Sequence, residues 1–367
     1  MIYVIKKYDG KIGFREFVTL IIICLGMKVT DTTPVLLTKL GLNTAWILPI
    51  ISGLVILIPI LCLLSLLKLY SDKNLIDIIY HLTGKLLGSI LVFILLILTL
   101  QYIIIGVRSY SDIINTLFYL KTPTYVILIL LIVSSCYIAS KGFNIIGSLS
   151  WIIYFSLQII APLLIILLWK DFNFSYLYPI GGPGIITLLK EGTSHTTILG
   201  EFIIFAVFFP MVRSFKEYKK ATLIGLFISV IQLSIFMIIY LSVYGFPTLS
   251  VLNYPYQQLT RLVHLGRFAT NMEVIFLGFW TFGISIRFAL YYSTSFTITS
   301  SFIKSANNKI PILLISILTF FLSMLPENFT KYILNFRSFT IVLFWTYVVG
   351  LPILLYGIAK LKGEYKR

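Results

Sequence analysis

Seven ionisable side chains lie inside apolar stretches of this 367-residue chain: Lys28, Asp31, Arg108, Asp112, Glu201, Glu273 and Arg287. A charge held in hydrocarbon costs kilocalories and marks a ligand or ion path by default. Cations hold carboxylates, carboxylates hold ammonium groups or protons, and the set has both. The chemistry on offer is therefore recognition of a charged small molecule. Covalent chemistry has no footing here. There is no nucleophile motif and no metal spacing, and Gly181-Gly182-Pro183-Gly184 lacks the Gly-Lys-Ser/Thr that would make it a phosphate loop. His81, His195 and His264 are scattered, and Cys24, Cys62 and Cys136 read as small buried hydrophobes. An enzyme, a metal site and a cofactor are not expected.

The side chains that flank these charges set the frame. The chain is 59% hydrophobic and 11% charged, with a mean hydropathy of +0.99. Soluble domains carry roughly 25% charged residues, so this chain has too few to cover a water-facing surface. The formal charge of +16 does not point to nucleic acid, because the basic residues fall in short clusters between apolar runs. About 20 apolar residues cross a bilayer as a helix. By that measure the sequence predicts an all-α polytopic membrane protein with ten transmembrane helices, at 14–37, 44–67, 86–118, 122–140, 145–169, 193–212, 221–244, 268–302, 310–325 and 339–361. With the N-terminus placed inside, about 18 Lys and Arg fall in inner segments and about 8 in outer ones. Both termini are expected on the cytoplasmic side, and no cleavable signal peptide is evident.

Residues 1–367 read as a single transporter-like domain built from a 5+5 inverted repeat, 14–169 and 193–361, a plan typical of secondary transporters. Each half opens with an awkward span. In the first, Gly26-Met27-Lys28-Val29-Thr30-Asp31-Thr32-Thr33-Pro34 is poor continuous lipid-facing helix. In the sixth, Gly200-Glu201 and Pro210 leave only about a dozen apolar residues. Broken first and sixth helices would expose backbone groups near the midplane, where ligands bind. The buried charges fall only in the first, third, sixth and eighth spans. Connections of 71–85 and 246–267 are each long enough for a short amphipathic helix.

These considerations nominate Gly26, Lys28, Thr30, Asp31, Arg108, Gly200, Glu201, Phe205 and Trp280 for ligand binding. Asp112, Glu273 and Arg287 are nominated for structural ion pairs. Several positions have a plainer alternative. The first span could end near Met27, with Lys28 snorkelling at the outer interface. Arg108 and Asp112, one helical turn apart, could pair on one face, or Arg108 could hold a ligand carboxylate. Glu201 suits a substrate ammonium, a proton, or a cation of the first span. Phe205 and Trp280 could simply pack.

The sequence also resembles the B subunits of bacterial spore germinant receptors, within the amino acid–polyamine–organocation transporter superfamily. The resemblance rests on Ile12-Gly13-Phe14-Arg15-Glu16-Phe17, Gly26, Gly41-Leu42-Asn43-Thr44-Ala45-Trp46 and Tyr178-Pro179-Ile180. It rests further on Gly200-Glu201-Phe202 with Phe209-Pro210, and on Met272-Glu273-Val274-Ile275-Phe276 with Trp280. Many transporters of the superfamily carry Gly-Ser/Thr-Gly at the first break, whereas this chain has Gly26-Met27-Lys28. The resemblance implies a nutrient sensor, commonly for a small amino acid, in the inner spore membrane or a cell membrane. It also implies an A-type membrane subunit and a C-type lipoprotein as partners. The alternative is a proton- or sodium-coupled amino acid permease.

Overall fold

The structure, a computed structural model, describes residues 10–263, 272–303, 309–325 and 329–366. Those residues are almost wholly helical, with no strand among them, as a bilayer demands: each main-chain polar group must find its partner within the span. In chain order the helices are α1 (Phe14–Gly26), α2 (Thr33–Gly41), α3 (Leu48–Leu69), α4 (Leu75–Leu117), α5 (Thr124–Ser140), α6 (Phe143–Leu167), α7 (Ile185–Ser194), α8 (Phe202–Val207), α9 (Phe215–Leu249), α10 (Pro255–Arg261), α11 (Met272–Ile303), α12 (Lys309–Met324) and α13 (Phe329–Leu361). Stretches 33–69, 75–117, 143–167, 215–249 and 344–361 are each long and apolar enough to cross a membrane. This is an all-α polytopic membrane protein.

Both awkward spans are interrupted. Between α1 and α2 lies a 3-10 turn, Met27–Thr30, followed by Asp31 in an extended conformation. Pro34 opens α2, where its missing N–H costs nothing. Between α7 and α8 lies a second 3-10 turn, Thr196–Leu199. The short helix expected at 71–85 is present, set off from the rest of α4 by non-helical backbone at Gly84. It forms the first turns of α4, begun by Asn74, whose side chain accepts from Asp77 N at 3.0 Å. The bend comes at Gly84, with φ of 77°, and a matching one in α9 comes at Gly245, with φ of 67°. Only glycine adopts such angles without strain.

Hydrophobicity and burial locate the centre. From Phe17 to Gly26 every residue of α1 is buried, and so is every residue of α8, as befits helices apolar on all sides. Helix α1 packs on α6, α9 and α11, and α11 packs on α4, α5 and α6. The periphery shows large apolar side chains outward, among them Leu130 and Val133 on α5, Ile152 and Ile159 on α6, and Leu313 and Phe321 on α12, the surface that acyl chains cover. At one end of the bundle Ile12 N donates to Met211 O (3.0 Å) and Arg213 N to Ile12 O (3.1 Å). Phe14 N donates to Glu217 Oε2 at 2.8 Å. The approach to α1 and the start of α9 therefore lie at the same end.

Candidate functional site

The two interruptions face each other. Lys28, on the turn after α1, donates from Nζ to Glu201 Oε2 at 2.7 Å and to the carbonyl of Ile198 on the turn before α8. Arg287, from the middle of α11, lies 3.3 Å by Nη2 from Glu201 Oε1 and 3.7 Å by Nη1 from Asp31 Oδ2. Two cations and two carboxylates thus form one chain, Lys28–Glu201–Arg287–Asp31, with formal charges that cancel. All four are buried. Charges taken out of water stay ionised at tolerable cost only when paired and hydrogen-bonded, and these are both.

Tyrosines complete the set. One helical turn beyond Arg287, Tyr291 receives a hydrogen bond from Arg287 Nε (2.9 Å) and donates its own to Glu201 Oε1 (2.8 Å). From α4, Tyr110 receives from Arg287 Nη1 (3.4 Å) and donates to Met27 O (3.2 Å). Asp31 spends its second oxygen on its own chain: Oδ1 accepts from Thr33 N at 2.7 Å and from Thr33 Oγ1 at 2.5 Å, which starts α2. Beside these groups is a cavity of about 60 Å³. It is lined by Lys28 and Asp31, by Gln101, Tyr102, Ile105, Gly106, Ser109 and Tyr110 of α4, by Thr197 and Ile198, and by Arg287 and Phe288 of α11.

Main-chain carbonyls released by the breaks have protein partners. Met27 O accepts from Tyr110, Val29 O from Tyr240 (2.8 Å), Thr30 O from Gln257 Nε2 (3.4 Å), and Ile198 O from Lys28. Such oxygens are the usual ligands of a coupled sodium ion at a broken helix. Here side-chain donors hold them.

The nominated residues divide among different environments. Lys28 and Asp31 line the charged cavity, and Glu201 is bonded to the cations beside it. Lys28, 3% exposed, does not snorkel. Gly26, Thr30 and Trp280 line a separate, uncharged recess that shares no residue with the charged cavity. Gly200 borders a small apolar space with Ile56 and Val348. Phe205 is packed edge-on to Phe17 at 5.8 Å and does not line the charged cavity. Arg108 pairs with Asp112 at 3.1 Å, donates to Ser323 O of α12 at 3.1 Å, and is likewise outside the lining. Arg287, nominated for a structural pair, sits at the centre of the charged chain. The side chain of Glu273 lies outside the described residues. Tyr102, Tyr110 and Gln101 carry no charge, so a search for buried charges passes over them; the i, i+4 spacing of Arg287 and Tyr291 was the one legible signal.

With this geometry established, likeness to known proteins is informative. The family model described as spore germination protein matches residues 11–332. The chain belongs to that family. Similar members in Bacillus subtilis (strain 168) include the putative spore germination protein YfkT, 26% identical over 278 residues, covering 74% of this chain and 74% of that one. Spore germination protein B2 is 20% identical over 326 residues, covering 88% and 89%. Spore germination protein KB is 23% identical over 304 residues, covering 81% and 80%. The fold is also that of Mhp1, a nucleobase-cation-symport-1 family transporter solved in a closed conformation with bromovinylhydantoin bound. Its TM-score is 0.70 at 11% identity, over 95% of this chain and 78% of that one. At that identity the likeness speaks for the fold alone. This spore germination family member is therefore an integral membrane protein with a transporter-like architecture.

Proposed function

We propose that this spore germination family member is the nutrient-binding membrane subunit of a germinant receptor, and that its ligand is a small zwitterion such as an amino acid. The observation that carries the reading is the alternation of charge in Lys28–Glu201–Arg287–Asp31 beside a cavity. An α-amino acid brings one carboxylate and one ammonium a few ångströms apart. Its carboxylate substitutes for a protein carboxylate on Arg287 or Lys28, and its ammonium substitutes for a protein cation on Glu201 or Asp31. The site stays neutral throughout, so ligand uptake exchanges pairs and buries no uncompensated charge.

Binding then biases the bundle. Lys28 belongs to the first broken span, Glu201 to the sixth and Arg287 to α11, so a ligand that changes their pairing favours one arrangement of these elements over another. The shift is limited by the ligand's differential affinity for the two states. In this reading the repeats 14–169 and 193–361 move against each other, an A-type membrane subunit and a C-type lipoprotein receive the change, and both termini are cytoplasmic in the spore's inner membrane or a cell membrane. The fold likeness to a cation symporter keeps an amino acid permease as the second reading. The protein-held carbonyls of Met27, Val29 and Thr30 weigh against the sodium-coupled form of it.

Nutrient-triggered germination of spores carrying Asp31→Asn or Glu201→Gln tests the assignment. Loss of the response, with normal amounts of receptor in the membrane, supports it. An unchanged dose response in both variants refutes it. Accumulation of labelled amino acid against a gradient by the purified chain in liposomes would favour the permease.

A further inference from the structure

Beside the first break is a second recess of about 30 Å³ that shares no lining residue with the charged cavity. Its polar lining comes from five different elements: Thr30 on the unwound turn, Gln158 on α6, Gln232 on α9, Tyr256 on α10, and Trp280 on α11. None of its lining residues is ionisable apart from Tyr256. Two of the lining groups are buried without a hydrogen-bond partner, the indole Nε1–H of Trp280 and the amide Oε1 of Gln232. Trp280 is only 1% exposed. A buried donor and a buried acceptor left unmade each forfeit their hydration without return, and a native fold pairs such groups with something.

The lining restricts what that something is. The recess has no carboxylate to hold a cation and no ammonium or guanidinium to hold an anion. The nearby carbonyls of Met27, Val29 and Thr30 already accept from Tyr110, Tyr240 and Gln257. The volume exceeds the roughly 10–15 Å³ that one water needs, but admits little more than two oxygen atoms. A hydroxyl is the smallest group that both accepts from an indole N–H and donates to an amide oxygen.

We propose that this recess is a second binding site, selective for one uncharged hydroxyl oxygen that bridges Trp280 Nε1–H and Gln232 Oε1. The bridge ties α11 to α9 across the unwound turn of the first span. The oxygen comes from water or from a small alcohol, and the site stands apart from the charged cavity whichever ligand that cavity takes.

Hydroxyl-radical footprinting by a brief X-ray pulse tests this in the full chain reconstituted in nanodiscs, because radicals formed from bound water oxidise buried side chains beside it. Met27, 7% exposed, lines the recess, while Met237, 2% exposed, does not. With rates normalised to the exposed Met211, Met27 oxidises severalfold faster than Met237, and Gln232→Leu removes the difference. Trp280→Phe, which deletes the donor alone, gives the same loss and serves if Gln232→Leu does not fold. Methanol that protects Met27 in the wild type beyond its scavenging of Met211, and not in Gln232→Leu, assigns the oxygen to an alcohol. Labelling unaffected by methanol after normalisation assigns it to water. Met27 oxidised no faster than Met237 in the wild type, or as fast in both variants as in the wild type, overturns the site.

Discussion

Lys28 and Glu201 are 173 residues apart in sequence and 2.7 Å apart in space, each on the interrupted stretch of a different span. The contact joins the two breaks directly, and Arg287 and Asp31 extend it into a neutral chain of four charges. Interactions of this kind are asymmetric in energy. Removing one partner strands the other in a dry interior, whereas removing both by shape-matched apolar groups is often neutral.

Lys28→Met and Glu201→Leu made singly are therefore each expected to destabilise the protein by about 3–5 kcal/mol. The double variant recovers much of that loss and still fails to respond to ligand. Thermal unfolding in detergent, arranged as a double-mutant cycle, measures the recovery. Strictly additive losses would show that the two side chains act independently.

Tyr291→Phe deletes one hydroxyl that both accepts from Arg287 and donates to Glu201. The expected stability loss is about 1–3 kcal/mol, the range for stranding buried polar partners. Because the ring remains, packing against Tyr102 (centroids 5.6 Å apart) is retained, and ligand affinity should fall more than global stability does. Titration calorimetry alongside thermal unfolding separates the two effects.

Gly106 lies where a side chain would collide with Phe288: a β-carbon there would come within 2.5 Å of the ring's Cε1. Both residues line the charged cavity. Gly106→Ala is expected to cost about 1–3 kcal/mol through overpacking and to push Phe288 into the cavity, which weakens ligand binding. Wild-type affinity in this variant would mean that the ligand sits elsewhere.

The charged site was legible in the sequence only as far as charge itself reaches. Lys28, Asp31 and Glu201 are conspicuous because ions in an apolar run are costly, and Gly26, Pro34 and Gly200 announced the interruptions. Spacing offered the Arg108–Asp112 pair that the structure has, whereas the role of Arg287 was not legible from it. Arg108 has Asp112 one turn away and turns toward α12, while Arg287 reaches two carboxylates on other spans, a pairing only tertiary structure fixes. The tyrosines and glutamines that complete both cavities look like ordinary membrane-helix residues until their partners are known. The short helix ahead of the third span was legible for a simpler reason: 71–85 is long enough for one, and Gly84, with φ of 77°, breaks the backbone between it and the long apolar stretch that follows.

Arg108→Gln provides the contrasting case. It removes the ion pair to Asp112 and the hydrogen bond to Ser323 O, so it should loosen the α4–α12 contact and lower the unfolding temperature while leaving ligand affinity unchanged. A large loss of affinity at unchanged stability would return Arg108 to the binding site.

Topology is open to a direct check. Ile12 and Val212 are bridged at one end of the bundle, so single cysteines introduced at Lys11 and Ser214, in a chain freed of its own three, should react with a membrane-impermeant maleimide from the same side. The proposed orientation makes that side the cytoplasm, with a cysteine at Thr122 reacting from the other. Opposite-side labelling of 11 and 214 would be incompatible with the bridge.

Binding of a zwitterion measured against its two halves tests the central claim most directly. Calorimetric titration of the purified chain with the small neutral amino acids identifies the one that binds, and the same titration is then run with its amine, lacking the carboxylate, and its acid, lacking the ammonium. The proposed exchange of charge pairs predicts that the intact amino acid binds at least tenfold more tightly than either half, about 1.4 kcal/mol or more, and that Arg287→Gln and Glu201→Gln abolish the preference. Equal binding by either half, or a preference indifferent to both substitutions, would contradict it.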